Sequence, residues 1–134
     1  MEGFGSDGRT MAKLGIYGTS KSAVTYFTKS LIKETKNSNV NIGLISPGMV
    51  ITDLFLKPEY ENEKEAKAFL KIANILADKV ETVTPWLVNK MDKNTTHGKR
   101  FNWLSNGKAI LRFAGSLFKK RKLLSESDIT IHYD

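Results

Sequence analysis

Tyr17 and Lys21 are the side chains whose types and spacing suit chemistry. They stand four apart at the start of an apolar-periodic stretch, and on a helix positions i and i+4 share one face. A phenol alone is a poor acid or base at neutral pH, because it ionises near about pH 10. A fixed positive charge beside it favours the phenolate. A phenol and an ammonium together make a workable general acid/base for interconverting a carbonyl and an alcohol. On spacing alone, a half-buried Tyr and a surface Lys on an ordinary helix explain the pair better, since structural residues outnumber catalytic ones. A second motif downstream changes the weighting.

Residues 40–45, Val-Asn-Ile-Gly-Leu-Ile, read as a short buried strand rich in aliphatic and β-branched side chains. Ser46-Pro47-Gly48 stops it, because Pro donates nothing to a ladder and Gly permits a sharp turn. The positioning elements are therefore a helix over 17–36, a polar link at Asn37-Ser38-Asn39, the strand, and a Pro-Gly loop. In open α/β sheets ligands sit beyond the carboxyl ends of strands. That loop is where a cofactor would be touched.

With these two motifs in this order, the chain resembles the short-chain dehydrogenase/reductase family. Tyr17-x-x-x-Lys21, with Ser20 before the lysine, and Pro47-Gly48-x-x-x-Thr52 carry the likeness. It is close over 1–56 and thinner over 57–134. The opening Met-Glu-Gly-Phe-Gly-Ser-Asp-Gly, the Ala-Asp-Lys-Val-Glu-Thr-Val region and a late basic helix look most like a chlorophyll b reductase-like branch.

The resemblance implies an NAD(P)-dependent oxidoreductase with a small carbonyl or alcohol substrate. Tyr17 would move the proton on the substrate oxygen. Lys21 would favour the phenolate and hydrogen-bond the nicotinamide ribose. Pro47 and Gly48 would pack against the nicotinamide, with the Val50 backbone and the Thr52 hydroxyl reaching its carboxamide or the phosphates. The cofactor would be NAD(P)(H), with a lean to NADP. The family's substrate-binding serine falls in register on Phe4, which has no hydroxyl; Ser6 is the nearest substitute and Thr10 the next. The family's corresponding helix often forms a dimer, so a homo-dimer is the implied partner.

The implied fold is α/β, the carboxy-terminal part of a Rossmann-like doubly wound parallel sheet. Its amino-terminal βαβ units, which would hold the adenosine and pyrophosphate, are not among these residues. The expectation is a single partial domain and a carboxy-terminal fragment, inactive alone. Residues 3–8 formally match G-x-G-x-x-G, but no strand precedes them and no acidic residue follows about 20 positions on, so they read as a flexible loop.

Composition sets the remaining bounds. The 134 residues suffice for one small core, and their 40% hydrophobic and 26% charged content is ordinary for a globular chain. No cysteine means no disulfide and no thiolate metal site. The amino terminus is unlike a signal peptide, and a cytoplasmic site is the expectation. The net charge of +7 reads as a Lys-rich surface, with no nucleic-acid-binding motif.

The second half should hold a loop over 57–62 and a helix over 63–77, with Ala66, Phe69, Leu70, Ala73 and Leu76 on one face. Asp78 should cap a helix over 79–91 whose core face is Val80, Val83, Leu87, Val88 and Met91, with Pro85 kinking it or delaying its start. His97 sits in a polar loop without ligand spacing, so no metal is expected. A strand over 100–104 and an amphipathic helix over 107–122 follow. Ile110, Phe113, Ala114, Leu117 and Phe118 should face the core, with Lys108, Arg112 and 119–122 outside or terminal. A non-enzymatic basic module docking that helix on an anionic membrane or a protein is the rival reading. Residues 123–134 should fray.

Overall fold

A computed structural model describes residues 1–56, 60 and 62–129. The elements are α1 (Gly15–Glu34), β1 (Leu44–Ser46), β2 (Val50–Ile51), α2 (Asp53–Leu56), α3 (Glu63–Leu76), β3 (Asp78–Lys79), α4 (Val80–Asp92), β4 (Arg100–Asn102), α5 (Asn106–Ser116) and a 3-10 turn at Glu126–Asp128. They divide into two compact units, Met1–Gly48 with Pro85–Trp103, and Met49–Thr84 with Leu104–Asp134. The result is α/β with small parallel sheets, the coarse form of the expected fold.

In the first unit β1 and β4 pair in parallel, Leu44 opposite Arg100 and Ser46 opposite Asn102. Leu44 and Ser46 bond toward β4, through Leu44 N–H to Lys99 O and Trp103 N–H to Ser46 O. Backbone groups alternate along a strand, so Ile45 faces the other edge. There its carbonyl accepts the Glu2 N–H at 2.7 Å. Residue 2 thus lies alongside β1, and its buried carboxylate takes the Arg100 Nε at 2.6 Å.

His97 has a structural task. Its Nε2 lies 2.8 Å from the Ile32 carbonyl, and its Nδ1 accepts the Ile42 N–H. One ring so joins the end of α1 to the approach to β1. The polar link at 37–39 is the turn that it closes.

The helix expected over 17–36 begins at Gly15 and ends at Glu34, where the Thr35 N–H and hydroxyl both return to the Leu31 carbonyl. Its apolar residues are not enclosed by this chain: Tyr26 and Phe27 are 77% and 66% exposed, and the buried position is Thr25.

The second unit holds the larger core. Tyr60, Ala66, Leu70, Ala73, Leu124 and Ile129 are buried together, with Phe55 and Phe69 packed against them. α3 forms as its spacing predicts, because Asn62 caps it through the Glu65 N–H and Ala66, Leu70 and Ala73 fall on one stripe. Leu124 and Ile129 correct the expected fraying, for 124–129 is anchored. The Asn74 side chain accepts the Leu123 and Leu124 N–H groups and donates to the Leu124 carbonyl. The loop expected at 57–59 and 61, and the tail at 130–134, lie outside the described residues.

Asp78 is also corrected. It is not a helix cap but a residue of β3, which pairs in parallel with β2, Val50 opposite Asp78. Its buried carboxylate binds Arg112 and Arg121, each at 2.8 Å. The same guanidiniums donate to the Ile75, Leu76 and Ala77 carbonyls at the end of α3. Cations there complement the helix dipole. α4 starts directly at Val80 and runs through Pro85; of its expected core face, Val83 and Leu87 are buried while Val80, Val88 and Met91 are exposed.

α5 ends at Ser116 rather than 122, closed by the Phe118 and Lys119 N–H groups on the Gly115 carbonyl. The expected core face is open to solvent: Ile110, Phe113, Leu117 and Phe118 are all exposed, Phe118 at 92%. Arg112 and Arg121 are turned inward instead, because Asp78 and three carbonyls draw them. Among the described residues no helix is long and apolar enough to cross a membrane.

Removing the Asp78 carboxylate leaves two partly buried guanidiniums uncompensated. Asp78→Ala is expected to cost about 3–5 kcal/mol of stability in urea titration; a cost below about 1 kcal/mol, typical of a surface pair, would mean that the cluster is peripheral.

Candidate active site

The chain leaving Glu2 turns twice, with Ser6 N–H on the Gly3 carbonyl and Gly8 N–H on the Gly5 carbonyl. This turn, residues 3–8, is seated on α1 and is not the loose loop expected. Two absences of a Cβ permit the seating. A side chain at Gly3 would collide with the Tyr17 phenol oxygen. At Gly5, whose φ is +91°, a Cβ would stand 2.6 Å from the Gly18 Cα. Backbone meets backbone there, and polar bonds hold it: the Ser22 hydroxyl donates to the Gly5 carbonyl at 2.7 Å.

This contact fixes the candidate pair. Tyr17, 37% exposed, has its phenol oxygen over Gly3, next in sequence to the residue beside Ile45. Two positions after Ile45 comes Pro47. The phenol oxygen thus sits against the residue that follows the one bonded to Ile45 of β1. Lys21 lies one turn along α1, its Nζ 5.4 Å from the Tyr17 ring centroid. An ammonium at that distance from the ring face is attracted by the ring quadrupole.

Ser6 is close by but engaged. Its hydroxyl accepts the Gly3 N–H at 2.9 Å and donates to the Lys21 carbonyl at 3.5 Å. It braces the turn and the lysine backbone. Phe4, the expected serine register, packs under the Arg9 guanidinium at 5.8 Å from its centroid. Thr10 is exposed beyond the turn. Ser20 donates to the Tyr17 carbonyl within the helix.

Gly48 takes φ +74°, the left-handed turn its type allows, and leaves no side chain at the bend after Pro47. Val50 and Thr52 belong to the second unit. Val50 opens β2, and the Thr52 hydroxyl accepts the Phe55 N–H at 3.3 Å, capping α2. That hydroxyl retains its own hydrogen for an acceptor. Within the first unit, the exposed, Cβ-free bend at Gly48 leaves room beside it for a flat group. Among the described residues no group of His, Asp or Glu is arranged to hold a metal.

Gly3, Gly5, Gly18 and Ser22 were not singled out as positioning residues by the spacing of reactive groups. The available signal was Gly18 and Ser22, small residues one turn apart on the helix that carries Tyr17, with a glycine-rich stretch just before it.

A family model for short chain dehydrogenases matches residues 6–63. The chain is similar to the probable chlorophyll(ide) b reductase NYC1, chloroplastic, of Oryza sativa subsp. japonica, with 29% identity over 98% of this chain and 25% of that protein. It is 40% identical to the chlorophyll(ide) b reductase NOL, chloroplastic, of Arabidopsis thaliana over 66% of this chain and 25% of that one. Carbonyl reductase family member 4 of Xenopus tropicalis shares 38% over 35% of this chain and 20% of its own length. The chain thus spans about a quarter of the length of the chlorophyll(ide) b reductases that it matches. No solved structure matches it significantly.

The glycine contact can be tested apart from any activity. Gly5→Ala is expected to cost about 1–3 kcal/mol and to speed hydrogen exchange across 3–8. Gly15→Ala, where a Cβ meets nothing, should be neutral or slightly stabilising. Equal behaviour of the two variants would mean that the turn is not seated on α1.

Proposed function

We infer, from a chain that belongs to the short-chain dehydrogenase family, that these residues carry the proton-transfer and nicotinamide-side part of an NAD(P)-dependent carbonyl reductase. What supports the reading most is the Tyr17 phenol, held over Gly3 with the Lys21 ammonium beside its ring.

Each side chain has a proposed task. The Tyr17 hydroxyl donates its proton to the substrate oxygen in reduction and takes it back in oxidation. Lys21 stabilises the phenolate left behind. Ser6 keeps the turn closed and so acts through Tyr17, in place of a serine that would itself touch substrate. Pro47 and Gly48 offer the face for a nicotinamide; Val50 and Thr52 are assigned to its carboxamide or phosphates. The bound nicotinamide supplies the hydride that reaches the carbonyl carbon. The relatives' names make chlorophyll(ide) b the first substrate to try. The exposed Tyr26 and Phe27 of α1 are the proposed dimer contact.

The remaining three quarters of those relatives' length has no counterpart here. Binding of the adenosine half is assigned to that part, and the chain alone is expected to bind NADPH too weakly for micromolar calorimetry. The test is a chimera in which this chain replaces the matching residues of the rice reductase. Tyr17→Phe in that chimera should lower turnover by about 10²-fold or more while leaving cofactor affinity nearly unchanged. Full activity in the variant would take the phenol out of the chemistry.

A further inference from the structure

The outward side of α5 is its apolar one. Ile110, Phe113 and Leu117 follow one helical stripe, and Leu111 and Phe118 follow the stripe beside it. All five are exposed, Leu117 at 84% and Phe118 at 92%. The polar side faces inward. Arg112 bonds the Leu76 carbonyl and the Asp78 carboxylate, and Lys108 and Ser116 are partly buried. A helix that covers a core has the opposite arrangement. Turning the apolar stripe of α5 inward would unpair Arg112 from the buried Asp78, which is expensive.

Positive charge adjoins this face. Lys119, Lys120 and Lys122 come within four residues of Phe118 and are exposed. Lys119 and Lys120 line the same open groove as Leu111, so cations and apolar side chains meet on one surface. Arg121 is held elsewhere, on Asp78 and the Ile75 and Ala77 carbonyls. No Asp or Glu stands between Asp92 and Glu126, so the segment itself supplies no anion to offset the lysines.

Exposure and sign together select the occupant. Side chains this exposed project from the surface rather than line a recess, which suits a fluid apolar layer. A second copy of this chain would bring the same lysines face to face across an isologous contact, and opposed like charges are unfavourable. An anionic bilayer matches both parts of the surface, with acyl chains for the stripe and phosphates for the lysines.

We propose that α5 lies in the interface of an anionic lipid bilayer. Ile110, Leu111, Phe113, Leu117 and Phe118 enter the upper acyl chains, and Lys119, Lys120 and Lys122 meet lipid phosphates. The lysine stems cover apolar surface while their ammonium groups reach the headgroups. Arg112 stays on Asp78 and ties the helix to its unit. The docking is peripheral, and it uses no residue of the Tyr17–Lys21 site, so it stands or falls apart from the redox reading.

The experiment is flotation of the whole chain with phosphatidylcholine vesicles that contain about 30% phosphatidylglycerol, at about 0.1 M salt. Binding is expected to these vesicles and not to phosphatidylcholine alone. Leu117→Asp/Phe118→Asp and, separately, Lys119→Glu/Lys120→Glu/Lys122→Glu should each weaken it by about tenfold or more. Lys29→Glu/Lys33→Glu/Lys36→Glu, on and just after α1, makes the same change of net charge and should weaken it less than about threefold. The chain has no cysteine, so Leu117→Cys takes one environment-sensitive fluorophore, whose emission should move to the blue on the anionic vesicles.

The proposal is overturned by no flotation, by equal flotation with phosphatidylcholine alone, or by an equal loss in the α1 charge variant. Undiminished affinity in the Leu117/Phe118 variant overturns it too, because the contact would then be electrostatic only. A dimer that this variant dissolves, in a chain that binds no vesicles, would give the face to a second copy instead. Should either α5 variant fail to fold by circular dichroism, the other and the fluorophore decide.

Discussion

Backbone packed on backbone is the constraint from which the candidate site follows. Residues 3–8 can lie against α1 only because Gly5 meets Gly18 and Gly3 leaves room for the Tyr17 phenol. A Cβ at Gly5 would stand 2.6 Å from the Gly18 backbone, so turn and helix would have to move apart. Once seated, the turn is locked by Ser22 and Ser6, which bond across to it and back to the helix. The phenol and the ammonium are then held relative to β1 by a short covalent path through Glu2, whose carboxylate Arg100 secures. Catalytic groups need this kind of support, because small errors of placement are costly in rate.

The second unit solves a different problem with charge. Its α3 ends in carbonyls that face Arg112 and Arg121, and Asp78 keeps those arginines aligned. A buried pair is weak evidence of net stability, yet breaking one is expensive. The cluster therefore specifies where the segment after α5 returns, and Asn74 completes that return by holding Leu123 and Leu124. Much apolar surface on α1 and α5 stays uncovered by this chain, including Ile16, Tyr26 and Phe118. Surface of that kind marks interaction sites.

What could be read from sequence alone follows a physical line. α1 and α3 announce themselves because their apolar spacing is local, whereas the strand expected over 40–45 forms only at Leu44–Ser46 and takes in the serine expected to stop it. The Tyr17–Lys21 pair and the Pro47-Gly48 bend are local too, and their order carried the family likeness. Asp78 misled because an acid three residues ahead of Glu81 imitates a capping box, whereas its actual partners are 34 and 43 residues away. α5 misled because an amphipathic pattern reveals that a face is apolar, not what covers it. His97 offered no local sign at all; its bonds reach back 55 and 65 residues. The seating of Gly5 on Gly18 likewise depends on space, which no periodicity reports.

The arrangement of Tyr17 over Gly3, with Lys21 along its ring, can be observed directly in solution. Nuclear Overhauser spectra of the chain, with tyrosine and glycine selectively labelled, should show the Tyr17 ring protons close to the Gly3 α-protons and the Lys21 side chain. Ring protons that contact neither, while α1 itself remains helical, would mean that the phenol is not held over Gly3, and the redox assignment would lose its geometric basis.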